Sequence, residues 1–161
     1  MKIRTTDLCD TYFPDLQIAE PIFRDYGGKL DFEGTIVTVH TYEDNVIVRK
    51  ILEQPGNGRV LVIDGGGSLR RAIIGDHIAE IASNSGWAGI LINGCIRDIQ
   101  GLSKIPIGVK AINAIPLRPL KSSVGERDID VTFAGVTFTP GHYLYADEDG
   151  IVVSMKKLEL P

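Results

Sequence analysis

Between Asp76 and Arg97 the chain has room for one helix and one strand, and that unit has to bring it back to where it began. Ile78, Ala79, Ile81 and Ala82 recur at helical spacing, Asn84 to Gly86 break the repeat, and Ala88-Gly89-Ile90-Leu91-Ile92 is a short apolar run. A helix followed by a strand returns the chain alongside its own start. The stretch that opens the helix, Gly75-Asp76-His77-Ile78, is therefore predicted to lie near the loop after the strand, Gly94-Cys95-Ile96-Arg97-Asp98. The free N–H groups of a helix N-terminus would there face a fixed cation, Arg97, and a carboxylate, Asp98. Such a trio can hold a small carboxylate-bearing molecule against a metal ion.

The segments on either side continue the alternation. Thr6-Asp7 is expected to cap a short first helix, with Leu8 and Tyr12 one turn apart and Pro14 beyond its end. Residues 21–32 read as irregular, with a turn at Gly27-Gly28. Thr, Ile and Val dominate from Gly34 to His40, which is strand composition. Asn45 to Gln54 reads as a helix with an apolar face of Ile47, Val48, Ile51 and Leu52, closed by Pro55-Gly56-Asn57-Gly58. Arg59 to Asp64 is a buried strand running into Gly65-Gly66-Gly67.

Further on, Ile99 to Ser103 forms one helical turn and Ile107 to Ile112 a strand. Leu117 to Asp130, with Pro119, Gly125 and several charges, is an exposed excursion. Val131-Thr132-Phe133 and Val136-Thr137-Phe138 alternate like paired strands, and Asp149-Gly150 marks a hairpin. The order is mixed α/β with antiparallel strands at the C-terminal end. At 161 residues it fits a single domain, 1–161, large enough to bury a core.

Composition excludes several classes. The formal net charge is −4 with both signs interspersed, which disfavours direct nucleic-acid binding. No apolar run approaches the roughly 18 residues of a membrane span, and the N-terminus lacks the basic-then-apolar order of a signal peptide. Two cysteines, Cys9 and Cys95, make neither a disulfide framework nor a zinc site. A cytoplasmic location with reduced thiols is expected.

The chemical motifs have to be weighed against plainer explanations. Asp64-Gly65-Gly66-Gly67-Ser68 after a strand suggests a nucleotide loop, but the Gly-Lys-Ser/Thr ending is absent and Arg70 stands where a dinucleotide fingerprint needs its third glycine. A tight turn explains it better, with backbone N–H groups and Arg70-Arg71 available to an anion. Asp76 and Asp98, taken singly, read as helix caps. Arg97, emerging at the end of a buried strand, is harder to explain structurally, with a surface ion pair as its plain alternative. His40, His77 and His142 have no metal-ligand spacing, no Gly-x-Ser-x-Gly elbow occurs, and Asp147-Glu148-Asp149 reads as a solvated turn.

The order Asp64-Gly65-Gly66-Gly67-Ser68-x-Arg70-Arg71-Ala72, Gly75-Asp76 and Gly94-x-x-Arg97-Asp98 resembles one family: regulator of ribonuclease E activity A and the class II 4-hydroxy-4-methyl-2-oxoglutarate aldolases. The likeness extends from Leu8-Cys9-Asp10 to Tyr145-Ala146-Asp147. It implies a swivelling-domain-like α/β/β fold with a mixed central sheet, assembled as a homotrimer with sites between subunits. Asp76, Arg97 and Asp98, with twenty residues (77 to 96) between the first two, match the pattern that marks a pyruvate and divalent-metal site in the aldolase members.

Carried over on that resemblance, Gly75, Asp76, His77 and Ile78 bind substrate through their backbone and Arg97 through its side chain. Asp98 holds Mg²⁺ or Mn²⁺, mostly through water, so Arg97 and Asp98 are the expected catalytic pair. Two positions depart from the pattern: Gly101 stands where some aldolases carry an acid, and Gly141-His142 where the family often has Gly-Asp. The implied activity is a carbon–carbon lyase that releases pyruvate from a small keto acid, with oxaloacetate decarboxylation at the same site. The alternative is a regulator that docks on ribonuclease E and inhibits it.

Overall fold

The computed structural model describes residues 2–161. In chain order its elements are α1 (Thr5–Tyr12), β1 (Gln17–Ile18), β2 (Arg24–Asp25), β3 (Phe32–His40), α2 (Val46–Leu52), β4 (Val60–Asp64), β5 (Ala72–Ile74) and α3 (Asp76–Asn84). There follow β6 (Gly89–Ile96), α4 (Ile99–Leu102), β7 (Gly108–Ala114), β8 (Glu126–Arg127), β9 (Val131–Phe133), β10 (Val136–Phe138), β11 (Tyr143–Asp147) and β12 (Gly150–Ser154). One mixed sheet runs in the order β1-β12-β11-β3-β4-β6-β7-β2, with β5 added to β6 and β8 to β3. Strands β3, β4, β6 and β7 are parallel. The β11–β12 hairpin pairs antiparallel to β3, and β9 and β10 form a separate antiparallel pair.

The unbroken apolar run of β4 is explained by what lies on each face. Leu61 and Ile63 point into a core shared with Val48, Ile51 and Leu52 of α2 and Ile78, Ala79 and Ala82 of α3. Val60 and Val62 point the other way, against Phe133, Phe138, Leu144 and Val153. A strand covered on both faces has no solvent side and so no alternation. The layers are thus helices, sheet and a second set of strands, the α/β/β arrangement expected. Helix α1 closes a third cluster with Leu8, Leu16, Tyr145 and Val152.

Several local expectations are corrected. Helix α1 begins at Thr5 after Arg4, with no side-chain cap from Thr6 or Asp7. What holds its start is Asp147, whose carboxylate accepts from the Thr5 N–H at 2.8 Å and the Thr5 hydroxyl at 2.6 Å. Asp147 is accordingly buried and not part of a solvated turn. Strands β1, β2, β5 and β8 are two or three residues long, too short for a periodic signal. Strand β6 continues to Ile96 through Gly94 and past an irregularity between Ile92 and Cys95, where the apolar run stops being continuous. The 117–130 excursion is mostly exposed but tied down: Leu120 N–H donates to the Glu43 carbonyl, Ser122 N–H to Asp44, and the Thr41 hydroxyl to the Val124 carbonyl.

Candidate functional site

Three parallel strands, β5, β6 and β7, end side by side, and the residues that follow them are Gly75, Arg97 and Ile115. Their main chains are stitched together just there. Arg97 N–H donates to the Ile74 carbonyl at 3.0 Å, and Ile115 N–H to the Ile96 carbonyl at 2.9 Å. Carboxyl ends of parallel strands are where α/β sheets leave a crevice, and a cleft of about 490 Å³ opens at this point. Asp76, Arg97, Asp98 and Gln100 supply its polar lining, with Gly101 of α4 beside Asp76. Ile99, Ala114, Ile115 and Pro116 add apolar surface to the same lining.

The start of α3 is built differently from the expected cap. Gly75 occupies the cap position and offers no side chain, and Asp76 is the first helical residue. The acceptor comes from across the cleft: the Asp76 N–H donates to Asp98 Oδ2 at 3.3 Å. Only a glycine at 75 permits this, since a Cβ there would overlap Asp98 Oδ2. Asp98 itself sits at φ 64°, ψ 51°, the left-handed region that Asp and Asn tolerate best, so its side chain turns back toward α3 instead of capping α4.

The remaining N–H groups of the first turn, on His77 and Ile78, have no intrahelical acceptor and none elsewhere among the described residues. Arg97 is half-buried, and no ion pair among the described residues includes it. The cleft therefore presents a positively charged, bidentate donor, with Asp76 at the start of the helix whose next two N–H groups are unsatisfied, an arrangement that suits a carboxylate.

Sequence-predicted residues divide accordingly. Asp76, Arg97 and Asp98 are brought together. Ile78 is buried in the core and can offer only its backbone. The His77 side chain lines a neighbouring groove of about 410 Å³ with Glu80 and Lys104 rather than the Arg97 cleft.

No group of three or more His, Cys, Asp or Glu among the described residues could form a metal cage. The donors present at the cleft are two carboxylates, Asp98 and Asp76, both hard oxygen ligands. That set fits Mg²⁺ or Mn²⁺, since Mg²⁺ binds through one or two carboxylates and keeps several waters, and it does not fit zinc. Gly101 leaves its room to Asp76: a Cβ at 101 would overlap the Asp76 carboxylate. An acid at that position would compete with Asp76 for the same space.

The glycine loop has a different role from the one its composition suggests. Gly65 and Gly67 N–H groups both donate to the Asn93 carbonyl, at 3.0 and 3.1 Å, and Gly66 N–H to Asp64 Oδ1 at 3.0 Å. No N–H of these three glycines is left for an anion. Arg70 is also taken: its Nε and Nη2 donate to Glu43 at 2.9 and 3.2 Å, and the Ser68 hydroxyl donates to Glu43 Oε2 at 2.6 Å. The Ser68 hydrogen bond and then the Arg70 guanidinium hold the Glu43 carboxyl below its ordinary 4.5. Glu43 was not legible as an organising residue; its backbone φ of 55° and its partners 25 and 27 residues away leave no local signal. Burial pushes the Cys95 thiol up, so it stays protonated and is a poor nucleophile.

A family model described as RraA-like: Aldolase/RraA matches residues 5–153. A protein of Alkalilimnicola ehrlichii, provisionally named a 4-hydroxy-4-methyl-2-oxoglutarate aldolase, is 51% identical over 158 residues, covering 98% of each chain. A solved structure from Geobacillus kaustophilus, named an S-adenosylmethionine: 2-dimethylmenaquinone methyltransferase, superposes with a TM-score of 0.95 at 49% identity, covering 97% of each chain. The RNA-processing inhibitor RraA from Thermus thermophilis superposes with a TM-score of 0.94 at 41% identity, covering 99% of this chain and 96% of that one. Three names on one fold leave the chemistry to be argued from the cleft.

Proposed function

The chain belongs to the RraA-like, Aldolase/RraA family, and from that premise we infer that it is a divalent-metal-dependent carbon–carbon lyase releasing pyruvate from small 2-oxo acids. 4-Hydroxy-4-methyl-2-oxoglutarate and oxaloacetate are the substrates of this reading, and the cytoplasm its location. One observation carries it. Arg97 lines the cleft with no ion-pair partner among the described residues, together with Asp98 and with Asp76 at the start of α3, a constellation suited to a carboxylate and a divalent cation.

The residues would act on the substrate in sequence. Arg97 grips the 1-carboxylate through paired donors, and the His77 and Ile78 N–H groups share its charge. Asp98, with Asp76 beside it, would hold the cation; when bound, the cation supplies a Lewis acid for the 2-oxo group. In the aldol substrate the C3–C4 bond breaks and the 4-hydroxyl loses its proton, so C4 leaves as the ketone of one pyruvate. The electron pair stays on the other fragment as an enolate, which takes a proton at C3 and becomes the second pyruvate. In oxaloacetate the same enolate forms as carbon dioxide leaves. Fixing the carboxylate and the carbonyl in one orientation before bond breaking is the main contribution of a site built on three strand ends.

A second reading is favoured by the likeness to the Thermus inhibitor over nearly the whole chain: a regulator that docks on ribonuclease E. The acidic balance suits a protein that covers a basic surface. The two readings separate in paired assays on one preparation. The lyase reading expects pyruvate from 4-hydroxy-4-methyl-2-oxoglutarate with Mg²⁺ present; inhibition of ribonuclease E without any pyruvate release would replace it with the regulator. In either role the working assembly is a homotrimer.

A further inference from the structure

The lining of the cleft is chemically mixed, and the side chains of its apolar members, Ile99, Ala114, Ile115 and Pro116, have no part in holding a carboxylate or a cation. Ile99, on the first turn of α4, is 50% exposed, and Ile115 faces the same space from the end of β7. Ile115 is not a loosely placed loop residue. Its N–H is bonded to the Ile96 carbonyl, the residue before Arg97, so its main chain is held next to that of the substrate clamp. Pro116, beside it, further restricts the backbone.

Resting on the lyase reading above, we propose that Ile99 and Ile115 form a specificity wall that receives the alkyl substituent on C4 of the substrate. With the 1-carboxylate on Arg97 and the 2-oxo group toward Asp98, the 4-methyl group is the substituent that seeks apolar contact, and these two isoleucines are the largest apolar side chains lining the cleft. The wall selects 4-alkyl-4-hydroxy-2-oxo acids over their unsubstituted counterparts. A single methyl group in an apolar site gives discrimination of about tenfold or somewhat more.

The test compares ligands that differ by that methyl alone. The kcat/KM for 4-hydroxy-4-methyl-2-oxoglutarate is divided by that for 4-hydroxy-2-oxoglutarate, in the wild type and in Ile115→Ala and Ile99→Ala. Calorimetric Kd values for 4-methyl-2-oxoglutarate and 2-oxoglutarate, which lack the 4-hydroxyl and are not cleaved, give the same ratio without turnover. The wild type is expected to favour the methyl compounds by about tenfold, and both variants to bring the ratio close to one. Ile99 is half exposed, so Ile99→Ala gives the answer even where Ile115→Ala folds poorly. A wild type that cleaves both substrates without preference, or variants that keep the full preference, overturns the wall and leaves the lyase reading standing. A wild type that cleaves neither substrate overturns both.

Discussion

Asp98 accepts a hydrogen bond from the backbone N–H of Asp76, 3.3 Å away across the cleft, so the carboxylate proposed to hold a metal is also the cap of the helix proposed to bind substrate. The pairing depends on Gly75, where any Cβ would overlap Asp98 Oδ2, and on the left-handed backbone of Asp98. Helix, cation and metal ligand are thereby placed relative to one another by main-chain geometry before any ligand arrives.

Arg97→Lys keeps the charge and loses the planar fork that matches a carboxylate. A hydrogen bond to a charged group is worth about 1.5–3 kcal/mol, so kcat/KM for pyruvate release is expected to fall roughly ten- to a hundredfold. The melting temperature should stay nearly unchanged, because Arg97 has no ion-pair partner to lose among the described residues. Activity and melting temperature measured on the same preparation decide it. Full activity in the lysine variant contradicts the clamp, and a joint loss of stability and activity makes Arg97 a structural residue.

Asp98→Asn separates the two roles of that side chain. Asn tolerates the left-handed backbone and keeps an oxygen that can accept from Asp76, so the fold should persist. What it loses is a negative oxygen ligand. Mn²⁺ titration by calorimetry is expected to show weakened binding, with metal-dependent turnover falling in parallel. Unaltered Mn²⁺ affinity would return Asp98 to being only a cap.

Much of this site was legible because it is local in sequence or fixed by composition. The 76–98 unit, the doubly buried β4 and the terminal hairpin all announce themselves in apolar pattern and turn residues. What was not legible is held by partners remote in sequence. Asp147 fixes Thr5 across 142 positions, and Asp98 caps α3 in place of the adjacent Asp76. The glycine loop looked available to a ligand because its composition shows free N–H groups but not the Asn93 carbonyl and Asp64 carboxylate that consume them.

Glu43→Gln tests the cluster that fastens that loop. A carboxyl whose pKa is lowered on folding adds stability that is complete above its ordinary value of 4.5 and is lost as pH falls through the lowered value. The variant should therefore be less stable than the wild type at neutral pH, and the gap should close as the pH drops below that ordinary value. Urea midpoints for both proteins at neutral and acid pH provide the comparison. A gap that does not change with pH shows that the Glu43 charge contributes nothing.

A homotrimer is expected at micromolar concentration, with a mass three times the 17.6 kDa of one chain. Light scattering after size exclusion reads this directly, and a stable monomer would remove the inter-subunit setting from the proposed site.

Lyase chemistry in the Arg97–Asp98 cleft is open to direct measurement. Pyruvate release from 4-hydroxy-4-methyl-2-oxoglutarate, followed in excess Mg²⁺, in EDTA and after restoring Mg²⁺, against protein-free blanks, measures that directly. Release well above the blank, abolished by EDTA and recovered with the cation, is the predicted result. Release no faster than the blank under all three conditions would contradict it.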